Sequence, residues 1–225
     1  MEISIIIPAY NEEKTIKETI KKVVKQKNIL EIVVVDDGST DKTGLILEKI
    51  RKNTPKLKNI THIKNQGKGA AICTALAKAK GEFVLIQDAD LEYNPSEYVK
   101  LFEAAGPQRV VYGSRLLEKN PRAYNRTYLG NIFLTLFCNI LFGTKLTDSY
   151  TCYKLIPTKI ARSLDLHANG FEMEAEITAK IAKRNIPIVE VPISYRPRTY
   201  KEGKKIKAID AIKGLLLFTK IKFNL

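Results

Sequence analysis

The chain alternates short, unbroken apolar runs with stretches whose apolar residues recur every three or four positions. Ile3 and Ile5 to Ile7 make a β-branched run, broken only by Ser4 and ended by Pro8, which predicts a strand covered on both faces. Ile16, Ile20, Val23 and Val24 fall at i, i+4, i+7 and i+8. That is the spacing of one helix face, with Asn11 as the expected N-cap. Ile32 to Val35 predicts a second strand, and Leu45, Ile46, Leu47 and Ile50 a second helix. A short third strand is expected near Ile60 to Ile63. An alanine-rich helix from Ala70 to Lys80 follows, which Gly81 should close from the C′ position. This strand–helix alternation predicts an α/β fold with a mostly parallel sheet and right-handed crossovers.

Phe83-Val84-Leu85-Ile86 reads as a fully buried strand that runs into Gln87-Asp88-Ala89-Asp90. If the backbone stays extended, Asp88 and Asp90 point to one side and Ala89 to the other. Asn94-Pro95 supplies an N-cap and a first-turn proline for a helix through Ala104. Val110 to Tyr112 predicts another strand, ending in Gly113-Ser114-Arg115. From Leu129 to Phe142 large apolar residues face nearly every direction, which predicts either a core helix or one lying in a membrane interface. A helix from Glu174 to Arg184 and a strand from Ile188 to Tyr195 follow. In the basic tail, residues 196–225, Ile206, Ile209, Ile212, Leu216 and Leu217 keep mostly helical spacing with lysines between them.

Composition narrows the functional classes. With 225 residues, 44% hydrophobic and 28% charged, the chain is expected to fold as one domain. Its net charge of +14 calls for an anionic partner. The lysine runs lack interleaved aromatics and no zinc-finger spacing occurs, so nucleic acid is not expected. Cys73, Cys138 and Cys152 lack metal-ligand spacing, and with no leader evident they suggest a reducing, cytoplasmic setting. Two histidines, His62 and His167, leave little room for a histidine metal centre or a Ser-His-Asp triad. No apolar run reaches the length of a membrane span.

Chemistry gathers at three strand ends: Tyr10/Asn11/Glu12, Asp36/Asp37 and Asp88/Asp90. Parallel strands present their carboxyl ends to one crevice, so these groups should converge there. A divalent cation between Asp88 and Asp90 would relieve their repulsion and could bridge them to a pyrophosphate. The remaining phosphate charge would fall to Arg115, Arg198, Lys204 and Lys205. The dinucleotide fingerprint is absent after the first strand and the P-loop pattern is absent throughout.

Pro8-Ala-Tyr-Asn-Glu12, Asp36-Asp-Gly-Ser-Thr-Asp41, Asn65-Gln-Gly-Lys-Gly69, Asp88-Ala-Asp90 and Gly113-Ser-Arg115, in this order, resemble the inverting family-two glycosyltransferases of the GT-A fold. Within them the chain looks like the polyprenyl-phosphate (dolichyl-phosphate) hexosyltransferases of the mannose-synthase type. The resemblance implies a GT-A (Rossmann-like) sheet flanked by helices, with amphipathic C-terminal helices. It implies a single glycosyltransferase domain, with residues 1–115 binding a GDP- or UDP-hexose and residues 116–225 facing the acceptor and the membrane interface. Pro8, Tyr10, Glu12, Val35 and Asp37 would hold the nucleoside, with Asp36 beside them. Lys68, Ala89, Arg198, Lys204 and Lys205 would also belong to the donor site. Asp88 and Asp90 would bind Mg²⁺ or Mn²⁺ and, with Arg115, carry the catalysis.

Three departures from the family pattern stand out. Glu92 replaces a common Gln, Thr151-Cys-Tyr-Lys154 replaces Ser-Gly-Phe-Arg, and the Arg198-to-Lys205 segment is about one residue longer. A polyprenyl phosphate acceptor is already anionic, so it needs no strong base, although Asp148, Glu172 and Glu174 are available. The expected location is peripheral, on the cytoplasmic side of a membrane. There the 129–142 segment would meet the lipid, and Lys201, Lys204, Lys205 and Lys207 its anionic head groups. A transferase acting on a soluble saccharide or protein hydroxyl, or a nucleotide-sugar binding module without turnover, would fit the same motifs.

Overall fold

The computed structural model describes all 225 residues, except for the side chain of Lys201. The Lys201 part of the predicted lysine run therefore lies outside the described residues. Seven strands form one sheet: β1 (Ile3–Ala9), β2 (Ile29–Asp36), β3 (Leu57–Thr61), β4 (Phe83–Ile86), β5 (Val110–Ser114), β6 (Lys154–Pro157) and β7 (Ile188–Pro192). Their order is β3-β2-β1-β4-β6-β5-β7. β1 is central, with Ile5 opposite Ile32 of β2 and Leu85 of β4. These strands are buried on both faces, which explains why they read as unbroken apolar runs instead of alternating ones.

All neighbours pair in parallel except at β6, which runs antiparallel to both β4 and β5. An antiparallel strand begins at the edge where its neighbours end. The start of β6, at Cys152 to Lys154, is thus delivered to the edge that carries Asp88, Asp37 and Glu12.

The helices are α1 (Ile16–Val24), α2 (Thr43–Lys52), α3 (Lys68–Lys78), α4 (Tyr98–Glu103), α5 (Asn125–Phe142), α6 (Thr158–Ser163), α7 (Met173–Lys183) and α8 (Ala208–Phe223). The predicted cap ahead of α4 forms, with Asn94 Oδ1 accepting from the Ser96 amide at 3.2 Å. α5 and α8 pack on α7 around a second apolar cluster of Leu134, Cys138, Tyr150, Ala175, Ala179 and Phe218.

Several local expectations fail for physical reasons. Asn11 is not the cap of α1. It sits in the left-handed region (φ 50°), and its side-chain oxygen accepts from the Thr40 amide at 2.8 Å, tying two strand-end loops together. β3 lies earlier than Ile60–Ile63, because Leu57 is the residue that reaches the core while Ile63 is fully exposed. Gly81 is not a left-handed helix stop. A Cβ there would lie 2.6 Å from the Ser4 amide nitrogen, so the glycine permits close passage against β1. The strand also stops short of the acids: β4 ends at Ile86, Asp88 lies beyond it and Asp90 sits in a turn. β6 had no prediction because a buried lysine opens it.

Candidate active site

One cavity of about 1380 Å³ opens over the carboxyl edge of the sheet. The first strand end contributes Pro8, Tyr10 and Glu12 to its wall, the second Asp37, and the start of α3 Lys68. Asp88, Ala89 and Asp90 follow β4, Arg115 follows β5, and Arg198, Lys204 and Lys205 come from the segment before α8. Val35 and Asp36 do not line it. Val35 is wholly buried in β2, and Asp36 Oδ1 accepts from the Ser39 amide at 3.0 Å, so its carboxylate closes its own loop.

Asp37 is an organiser of this edge. Its Oδ1 lies 2.6 Å from His62 Nδ1 and accepts from the Gln66 amide at 2.9 Å, while its Oδ2 accepts from the Gly67 amide at 2.8 Å. Gly67 has φ 103°, and a Cβ there would lie 2.3 Å from the Asn169 carbonyl oxygen. The missing side chain lets the 65–69 loop lie flat on residues 168–170, which aims Lys68 across the cavity.

The two acids after β4 have different surroundings. Asp88 Oδ1 stands 2.7 Å from Lys68 Nζ. Burial pushes the Asp88 carboxyl up, but Lys68, with help from Cys152 and Arg198, holds it below the usual carboxylate range. Asp90 Oδ2 accepts from Arg198 Nη2 at 2.9 Å. Burial, then Asp88 and Glu92, push the Asp90 carboxyl up to about 8 despite Arg198. Arg198 also donates to both Glu12 oxygens, at 3.0 and 3.2 Å. Lys205 Nζ reaches Glu12 Oε1 at 2.5 Å as well as the Tyr10 carbonyl. Glu92 Oε1 accepts from the Arg198 amide at 2.6 Å and Glu92 Oε2 from the Tyr195 hydroxyl. The Glu that departs from the family pattern thus anchors the basic segment over the acids.

Arg115 is held rigidly. Asp148, fully buried, accepts from Arg115 Nε at 2.6 Å, from Nη2 at 2.8 Å and from the Arg115 amide at 3.1 Å. Of the three carboxylates available as a base, Asp148 is therefore committed to Arg115, and Glu174 is paired with Lys68 and Lys154. Glu172 Oε1 accepts from the Gly170 amide at 3.1 Å, and Glu172 is not on the cavity wall.

A hard divalent cation fits this site on donor chemistry. Asp88 and Asp90 offer only oxygens, and Asp90 is a carboxyl that its neighbours keep from ionising until a further positive charge arrives. Sequence reasoning missed Cys152, Tyr195 and Arg122, which also line the cavity. Cys152 lay inside a motif already singled out, and the antiparallel course of β6 is what brings it beside Asp88.

The raised Asp90 value has a consequence for the metal-free protein. Between the ordinary value of 3.8 and about 8, the folded state holds a proton that the unfolded state has lost. This group's contribution to stability is complete below the lower value, falls as pH rises and is lost above the upper one. Urea denaturation with a chelator present should show that decline in the wild type and a flatter profile in Asp90→Asn. Parallel profiles would contradict it.

A mostly parallel sheet whose strand ends gather acids beneath a basic segment has the layout of a ligand-binding α/β enzyme. Residues 4–164 match Glycosyl transferase family 2, and the chain belongs to that family and is a glycosyltransferase of the GT-A fold. An uncharacterised protein of Methanocaldococcus jannaschii, MJ1222, is 30% identical over 98% of this chain and 90% of its own length. The UDP-N-acetylglucosamine–dolichyl-phosphate N-acetylglucosaminyltransferase of Methanococcus voltae is 29% identical, covering 97% of this chain and 94% of that protein. The human dolichyl-phosphate beta-glucosyltransferase is 30% identical over 91% of this chain and 69% of its own. In three dimensions, glucosyl-3-phosphoglycerate synthase of Mycobacterium tuberculosis, crystallised with Mn²⁺, UDP and glucosyl-3-phosphoglycerate, matches with a TM-score of 0.71 at 19% identity. That match covers 99% of this chain and 80% of the synthase.

Proposed function

We propose that the enzyme transfers a hexose from a GDP- or UDP-sugar to a polyprenyl phosphate, with inversion and with Mg²⁺ or Mn²⁺ bound at Asp88 and Asp90. The observation that carries this reading is the make-up of the cavity. Around Asp88 and Asp90 every carboxylate is already paired: Glu12, Asp90 and Glu92 with Arg198, Asp88 and Glu174 with Lys68. Among the described residues no unpaired carboxylate remains there to activate a hydroxyl, whereas a phosphate oxygen attacks without a strong base. From the acids the cavity continues between α5 and the start of α8, past Arg115, Arg122 and Arg126 and along Leu116, Leu134, Ile206 and Ala211. Arginines beside an apolar groove suit a phosphate carried on a hydrocarbon chain. The acceptor named for the Methanococcus voltae and human relatives, dolichyl phosphate, supports the same reading, and the UDP and Mn²⁺ of the mycobacterial structure support the donor side.

The roles of the chain's own residues follow from charge. An acceptor phosphate oxygen forms a bond to the anomeric carbon as the bond to the donor diphosphate breaks, and the electron pair leaves on the diphosphate. Arg115, fixed by Asp148, and Arg198, Lys204 and Lys205 would meet the developing negative charge. A bound divalent cation would add further stabilisation of that charge. Incubation with radiolabelled donor and a short polyprenyl phosphate tests the proposal. Label should enter the organic phase, and label confined to water-soluble product would refute it.

The reading extends to a peripheral membrane position. Leu129, Ile132, Phe133, Leu136 and Ile140 are exposed on α5, and Ile209, Ile212, Leu216 and Phe223 on α8. Exposed Lys213, Lys220 and Lys222 accompany them, while no helix of the described residues is long and apolar enough to cross a membrane. Apolar bulk flanked by lysines suits an anionic lipid surface. In liposome flotation the protein should rise with vesicles containing anionic lipid; sedimentation with every lipid mixture would exclude this placement.

A further inference from the structure

Lys154 is completely buried at the start of β6, where an ammonium is retained only when well paired. Its Nζ donates to Glu174 Oε2 and to the Thr151 carbonyl. Glu174 is itself 3% exposed, and its Oε1 lies 3.0 Å from Lys68 Nζ. Lys68 in turn stands 2.7 Å from Asp88 Oδ1 on the cavity wall. Four charges therefore alternate along one line, Asp88, Lys68, Glu174 and Lys154, running from the cavity into the core. They sum to zero, which keeps the line tolerable in a medium that screens poorly.

Each member has a distinct duty in this line. Burial alone would drive the Lys68 ammonium toward neutrality, but the Asp88 and Glu174 carboxylates oppose it and keep the charge on. Glu174 Oε1 has no aligned hydrogen bond, so it holds Lys68 by charge, and the strength of that hold depends on what else Glu174 must balance. Lys154 supplies the balance. Were it neutral, Lys68 would be the only cation facing Glu174 and would be drawn inward, away from Asp88. None of this is needed to close the core, since a buried ion pair is often matched in stability by apolar side chains of the same size.

We infer that Lys154 and Glu174 are positioning residues for the donor: together they fix Lys68 against Asp88 and so set the charge that meets the donor diphosphate. Lys154 does this without reaching the cavity. The inference rests on the donor half of the proposed function and is independent of the acceptor.

The test is calorimetric binding of UDP and GDP with Mn²⁺, alongside melting temperature and the donor KM and kcat. It compares wild type, Lys154→Met, Lys154→Arg and the charge-neutral double variant Lys154→Met/Glu174→Gln. Loss of a supporting contact one shell from a charged site weakens binding by about ten-fold or more; that loss is expected in Lys154→Met, where Glu174 draws Lys68 inward, and in the double variant, where Lys68 loses its second carboxylate and is held by Asp88 alone. Lys154→Arg should retain wild-type affinity, because it keeps the charge. The double variant leaves no buried charge unpaired at these two positions, so it reports even if Lys154→Met fails to fold. A double variant, or a folded Lys154→Met, that binds nucleotide as tightly as the wild type would overturn the inference, whatever its melting temperature. Wild-type protein that binds neither nucleotide would instead overturn the donor reading, and the inference with it.

Discussion

Asp90→Asn is expected to lower the sugar-transfer rate by about 10²–10³-fold or more and to abolish its dependence on added divalent cation, with the fold intact. Asn keeps the shape and can still meet Arg198, which lies 2.9 Å from Asp90 Oδ2, so the loss would be one of charge. The wild-type carboxyl sits among Asp88, Glu92 and a buried turn that already resist its ionisation. Removing it therefore relieves the metal-free protein while depriving the donor diphosphate of its anchor. Stability and activity should move in opposite directions at this position. Steady-state kinetics across a metal titration checks the result; an Asp90→Asn enzyme with wild-type rate and metal dependence would remove Asp90 from the site.

Asp148→Ala should give the largest loss of stability of any single change discussed, about 3–5 kcal/mol. The reason is what it leaves behind. Asp148 is fully buried, accepts three bonds from Arg115 and one from Asn131 at 2.9 Å. Without it a largely buried guanidinium loses the carboxylate that holds it, and α5 loses one of its ties to the strand-end loop. Burial opposes ionisation of Asp148, yet Arg115 outweighs it and holds the carboxyl below its ordinary value. Its stabilisation is thus present above the ordinary carboxylate range and lost as pH falls through the lower folded value. Urea denaturation of the variant near neutral pH measures the loss, and a change under about 1 kcal/mol would place the pair among weak surface bridges.

Much of this architecture was legible because the buried parallel strands announce themselves. Ile3 to Ile7 (but for Ser4), Ile32 to Val35 and Phe83 to Ile86 are apolar on both faces, and each hands its polar end to the same edge. The acids could be located from that rule alone, even though β4 ends at Ile86 and Asp90 sits in a turn. The start of β6 was not legible. Lys154 lies in a polar-looking stretch, and only three-dimensional pairing with Glu174 makes a lysine tolerable in a central strand. The roles of Asp36 and Asp37 were equally closed to inspection. Adjacent, chemically identical residues diverge because strand pleating turns one back into its own loop and the other toward His62 and the 65–69 loop. Gly67 and Gly69 read as a turn or as a ligand contact, and the reason for them, the backbone at residues 168–170, lies a hundred positions away.

The measurement that bears most directly on the whole account is the covalent structure of the product. Purified protein, divalent cation, UDP- or GDP-hexose and a short polyprenyl phosphate should yield one lipid whose mass has grown by a hexosyl unit. The new bond should run from the anomeric carbon to a phosphate oxygen, with anomeric configuration opposite to that of the donor. A sugar attached elsewhere, or attached with the donor's own configuration, would contradict the account.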